Sequence, residues 1–66
     1  MKNTIRVDRA ILNISQAELA ERVQVTRQTI NAIELGKYAP SAVLAMKIAR
    51  VFGKKVEDIF ELEPED

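Results

Sequence analysis

Residues 15–41 read SQAELAERVQVTRQTINAIELGKYAPS, and two helix starts are written into them. Ser15 is followed three residues later by Glu18. In that pattern the serine hydroxyl caps the backbone of the first turn and the glutamate reaches back to the cap, so a helix begins at Gln16. Leu19, Ala20 and Val23 recur at helical spacing and form its inner stripe. Gln24 and Val25 make a short turn, and Thr26 is a second N-cap. The next helix runs from about Arg27 to Leu35, buries Ile30 and Ile33, and stops at Gly36, which suits a left-handed end. A link of two or three residues cannot lay two helices antiparallel, so they must cross steeply.

Working outward, an earlier helix spans residues 4–12, with Asn3 or Thr4 as its cap and Ile5, Leu12 and the aliphatic part of Arg9 on one side. Val7 and Ile11 also call for burial there. Pro40 and Ser41 open a fourth helix, SAVLAMKIARVF, whose inner face is Leu44, Ile48, Val51 and Phe52, and Gly53 ends it. A last short helix covers Lys55 to Ile59. It breaks into FELEP, where apolar and acidic residues alternate as in a strand, and the only partner in view is the N-terminal MKN. The predicted architecture is all-α: five short helices plus a small two-stranded sheet joining the termini.

A chain of 66 residues is read as one domain, 1–66. Cores this small usually need a staple. The chain has no Cys and no His, which excludes a disulfide framework and a zinc site built on those residues. Dimerisation is the remaining staple. No apolar run approaches the roughly 18 residues of a membrane span and no signal peptide is visible, so a soluble cytoplasmic protein is expected. No His, Cys, glycine-rich loop or carboxylate cluster outside the tail is available for acid–base or nucleophilic chemistry. The expectation is therefore no enzyme, no cofactor, no metal and no small-molecule ligand. Net charge is zero, but it is segregated. Residues 1–56 hold all ten Lys and Arg against four acids (Asp8, Glu18, Glu21, Glu34), giving +6, while residues 57–66 hold six acids and no base, giving −6.

At about 100° per residue, the third helix turns Arg27, Gln28, Asn31 and Ala32 away from Ile30 and Ile33, with Thr29 on the other flank. No acid stands in that face. Gln and Asn donate and accept together and match the N6/N7 edge of adenine; Arg matches the O6/N7 edge of guanine; an alanine lets the helix sit close. Two helices joined this way form a helix-turn-helix, whose second helix enters the major groove. The predicted partner is double-stranded DNA. Phosphate contacts, which set position rather than sequence, are assigned to Gln16, Thr26, Thr29, Lys37 and Tyr38, with backbone N–H groups at the starts of the second and fourth helices. Arg9 and Glu34 both lie on helix sides that otherwise face inward. A buried charge is tolerable only when paired, so these two should pair.

With those residues in view, the chain resembles the phage-repressor and Cro-like helix-turn-helix regulators, the XRE family, in their short single-domain prokaryotic branch. The resemblance rests on Arg9, SQAELAERV (15–23), VTRQTINAIELGKY (25–38), PS (40–41), KIARVFG (47–53) and VEDIF (56–60). It implies a five-helix lambda-repressor-like fold with the helix-turn-helix at about 16–35. It implies an operator-binding homodimer that represses transcription, with DNA contacts at Gln16, Thr26, Arg27, Gln28, Thr29, Asn31 and Lys37. It also implies a buried Arg9–Glu34 pair, a terminal sheet, and dimerisation through a C-terminal segment at about 54–66, around Val56, Ile59, Phe60 and Leu62. Three residues depart from the family pattern. Gln24 stands where the turn usually carries Gly, which implies strain if φ is positive there. Asp8 replaces an apolar residue and is expected either to be pushed out or to join Arg9. Ala42 stands where Leu usually follows PS, implying a smaller core at that point. The competing reading is an antitoxin or other protein-interaction module, which would need an exposed apolar surface or a long wrapping tail.

Overall fold

A computed structural model describes residues 1–66. Its elements are β1 (Lys2–Asn3), α1 (Ile5–Leu12), α2 (Gln16–Val23), α3 (Arg27–Glu34), α4 (Ala42–Phe52), α5 (Val56–Ile59) and β2 (Phe60–Glu61). None of the helices is long and apolar enough to cross a membrane. The two strands pair antiparallel, Lys2 opposite Glu61 and Asn3 opposite Phe60, which ties the two ends of the chain into one small sheet.

Helix boundaries follow local capping chemistry. Ser15 and Glu18 complete the reciprocal capping box at α2, and Thr26 and Ser41 accept from the N–H groups of Thr29 and Leu44 at α3 and α4. At α1 the cap comes from one residue further out: Asn3 Oδ1 accepts from the Ile5 N–H at 3.2 Å. The helix ends use left-handed residues. Gly36 has φ 74°, and a Cβ there would meet only the Met1 carbonyl at 3.7 Å, so the glycine answers to backbone conformation and not to space.

Thirteen apolar residues from every helix make the core, among them Ile5, Leu19, Val23, Ile30, Ile33, Ile48 and Ile59. The inner stripe of α4 is Leu44, Ala45, Ile48 and Ala49, with Val51 and Phe52 half-buried at its margin. Ile14, in the α1–α2 connection, is also buried.

Helix α1 differs from its predicted register. Leu12, Val7 and Ile11 are exposed, while Asp8 is buried to 3 %. Asp8 neither swings out nor joins Arg9. Its carboxylate accepts from the Thr4 hydroxyl at 2.8 Å and from Lys54 Nζ at 2.7 Å. A buried carboxylate with a cation and a hydroxyl is satisfied, so this inward position of α1 carries a polar link from α1 to the lysine just after α4. Ala42 lies exposed on the first turn of α4, so its small side chain leaves no gap in the core. Leu35 caps α3 instead of ending it, and is exposed.

The acidic tail folds back onto the N-terminus. The Met1 amino group lies 3.1 Å from Glu63 and 3.2 Å from Asp66. Hydrogen bonds to Glu63 and then Asp66 hold that amine above its ordinary pKa; the Glu63 backbone N–H, and then the amine, hold the Asp66 carboxyl below its own. The raised amine supports this contact at low and neutral pH and withdraws as pH rises through its folded value. The lowered carboxyl supports it above the carboxylate range and withdraws as pH falls through its folded value. The contact is thus complete in the middle of the range, and its exposure keeps its contribution small.

Gln24 adopts φ 63° and ψ 43°, the left-handed conformation that costs a side chain with a Cβ about 1 kcal/mol. Its side chain accepts from exposed Lys47 at 3.2 Å, a weak return. Gln24→Gly should therefore raise stability by roughly 1 kcal/mol, measured by urea denaturation; an unchanged or lower midpoint would show that the turn is not strained.

Candidate nucleic-acid interface

Helix α3 is held on its inner side by Ile30 and Ile33, both essentially fully buried. On the side turned away from them its surface is open: Arg27, Gln28 and Asn31 are exposed, and Ala32 is half-buried beside them. The one acid of α3, Glu34, is turned inward and paired. Its carboxylate meets Arg9 twice, Nε to Oε2 at 2.7 Å and Nη2 to Oε1 at 3.1 Å. Arg9 Nη1 also donates to the Ile14 carbonyl at 3.1 Å. One planar guanidinium thereby ties α1, the α1–α2 connection and α3 together, and its parallel donors suit a carboxylate. The side chains retain only 16 % and 8 % of their exposure. The hydrogen bond to Glu34 holds the Arg9 guanidinium even further above its already high pKa.

Gln16 stands at the centre of the surface that continues from this pair. Its amide nitrogen donates to Asn31 Oδ1 at 3.2 Å and to Glu34 Oε1 at 3.4 Å, and its amide oxygen accepts from Arg27 Nε at 3.4 Å. Both amide hydrogens face groups of the protein, so the side chain links α2 to α3. No spacing rule could have revealed this, because its partners lie 11 to 18 residues away.

Thr26 is exposed and Thr29 half-buried; their hydroxyls lie 3.1 Å apart, and Thr26 caps the Thr29 N–H. Lys37 and Tyr38 are exposed in the loop after α3, where Tyr38 lines a shallow groove with Val25, Thr29, Ser41 and Val43. Arg6, not anticipated from the sequence, borders the same surface beside Gln16 and Asn31. Its place on the outer side of α1 was legible from helical periodicity, but its proximity to α3 depends on how α1 packs.

Of the residues expected at a subunit interface, Ile59 and Phe60 are buried to 2 % and 7 % in the chain's own core. Val56 is half-buried and Leu62 is 76 % exposed.

Comparison with known proteins agrees with this geometry. A family model described as helix-turn-helix matches residues 5–59. An uncharacterized HTH-type transcriptional regulator of Methanocaldococcus jannaschii is 53 % identical over 66 residues, covering all of both chains. The uncharacterized HTH-type transcriptional regulator YgzD of Bacillus subtilis is 52 % identical, again over the whole of both. One from Methanothermobacter thermautotrophicus is 55 % identical over 64 residues, 96 % of this chain and 93 % of its own length.

The near-buried pair generates a stability prediction. Glu34→Ala strands the Arg9 guanidinium and should cost about 3 kcal/mol, well beyond a typical surface substitution. Chemical denaturation showing a loss under about 0.5 kcal/mol would mean that the pair is a solvated contact of no structural weight.

Proposed function

The chain belongs to the helix-turn-helix family of DNA-binding transcriptional regulators, and from that membership we propose that it is a repressor that binds a pseudo-palindromic operator as a homodimer, with α3 in the major groove. The observation that carries this reading is the outward face of α3. Arg27, Gln28 and Asn31 project from a helix whose single acid is withdrawn into an ion pair. Phosphate would repel an exposed carboxylate there and attract the guanidinium.

On this reading Arg27 and Gln28 contact base edges, Ala32 permits close approach, and Asn31 completes the reading face. Thr26, Thr29, Lys37 and Tyr38 contact the flanking phosphates, as do the backbone N–H groups of the first turns of α2 and α4. The two subunits join through residues 54–66, where Leu62 and the exposed rim of Val56 are free to meet their counterparts. Their α3 helices then reach half-sites about 34 Å apart on one side of the duplex. Repression follows from occupancy: a bound dimer denies that side of the duplex to other proteins, and release is governed by concentration and dimer dissociation.

Fluorescence anisotropy with duplexes selected from a random pool, repeated across a salt series, tests this. Binding should be sequence-selective and fall steeply with salt. Arg27→Ala should cost about 1–3 kcal/mol and relax preference at one base pair. Lys37→Ala should weaken all sequences alike and lower the salt slope by about 1. A protein without sequence preference or salt dependence is not an operator-binding regulator.

A further inference from the structure

We infer that Asn31 meets DNA through its NH2 group, its carbonyl oxygen being directed at Gln16, so that it selects guanine over adenine. This deepens the operator-binding reading and rests on it. An asparagine at a reading face ordinarily offers a donor and an acceptor together and so matches adenine. Here the charges behind it decide otherwise.

Glu34 is bound to Arg9 by two short hydrogen bonds, 2.7 and 3.1 Å, and a carboxylate so paired is an acceptor only. The atom of Gln16 that faces Glu34 at 3.4 Å must therefore be the amide nitrogen, since an amide oxygen there would set lone pairs against lone pairs. The opposite side of the same amide gives an independent check. Arg27 is a donor only, and its Nε lies 3.4 Å from Gln16, so the atom it meets must be the amide oxygen. The two constraints agree, and the orientation of Gln16 does not rest on the near-equivalence of amide O and N. The second hydrogen of the Gln16 nitrogen then points at Asn31, 3.2 Å away, and the Asn31 atom receiving it must be Oδ1. The Asn31 NH2 has no protein partner and faces outward. Gln28, with no such neighbour, keeps both functions.

An outward NH2 group suits the O6 and N7 acceptors that guanine presents. At adenine it would find N7 beside the N6 amino group, donor against donor. The pattern of charge within the protein is thus transmitted to base preference through one amide.

Two measurements on the wild-type chain and Gln16→Met, which keeps side-chain length without the amide, test this. In the DNA-free wild type, NMR should show the Gln16 side-chain NH2 protected from hydrogen exchange and the Asn31 NH2 exchanging freely; the opposite order overturns the inference. In competition binding with single-base variants of a selected duplex, the base pair whose preference disappears in Asn31→Ala should favour guanine over adenine by about tenfold in the wild type. In Gln16→Met that preference should collapse to within about twofold, because Asn31 is then free to turn. A wild type that takes adenine as readily as guanine at that pair overturns the inference and leaves operator binding intact. If no duplex is bound selectively, operator binding fails, and the exchange measurement still decides the orientation of the amide.

Discussion

The contact between Arg9 and Glu34 is the constraint on which the arrangement of helices depends. With no disulfide and a core of thirteen apolar side chains, nothing else joins α1 to α3 by a directional bond of comparable strength. Apolar contact alone tolerates sliding, because methyl groups meet equally well over a range of registers. A bidentate guanidinium does not, and its third donor on the Ile14 carbonyl carries the restriction into the α1–α2 connection. The pair need not add much net stability over an apolar substitute; what it adds is placement. Because α3 is the helix whose outer face must be presented, placement is what this fold requires.

The same economy of means sets the crossing of α2 and α3. Three residues separate them: Gln24 in the left-handed region, Val25, and Thr26 as the next cap. Two donors close the end of α2, with the Gln24 and Val25 N–H groups bonded to Glu21 and Ala20. The chain then enters α3 at once. Strain at Gln24 is the local cost of that abruptness, and the burial of Val23 and Ile30 on either side of the turn offsets it.

Features set by neighbouring residues were legible in the sequence, and of those set by remote partners only some were. The capping box at Ser15, the caps at Thr26 and Ser41, the stop at Gly36 and the buried pair Ile30 and Ile33 all depend on residues within one or two turns. The terminal sheet was legible because FELEP alternates and MKN was its sole available partner. Arg9 and Glu34 were a long-range pair that could still be foreseen, since each was a charge on an otherwise inward side. Asp8 met the same criterion, but its partner Lys54 lies 46 residues away after α4, and only packing reveals the contact. Once Asp8 occupies the inner side of α1, Val7, Ile11 and Leu12 rotate into solvent. At the reading face, residue types were legible while their hydrogen-bonding state was not, because Gln16 is joined to it through tertiary contacts.

What distinguishes α3 is that every side except the outer one is fastened. Its first turn is capped by Thr26, its inner side is filled by Ile30 and Ile33, and Glu34 is locked to Arg9. Its last carbonyls are taken up as well: Ile33 O accepts from Asn3 Nδ2 at 2.8 Å and from the Gly36 N–H, and Ala32 O from Lys37. Asn3 belongs to β1, and the Met1 amine beside it draws Glu63 and Asp66 back onto the N-terminus. The segregated charge of the chain thereby acquires a structural sense. Part of the −6 of residues 57–66 is spent on the protein's own cation, Asp8 answers Lys54, and Glu34 answers Arg9, while Arg27 has no acid against it. A helix ordered before it meets a partner loses little further freedom on binding. Here that order is supplied from behind and from both ends, which leaves the outer face of α3 rigid, free of exposed acids and open.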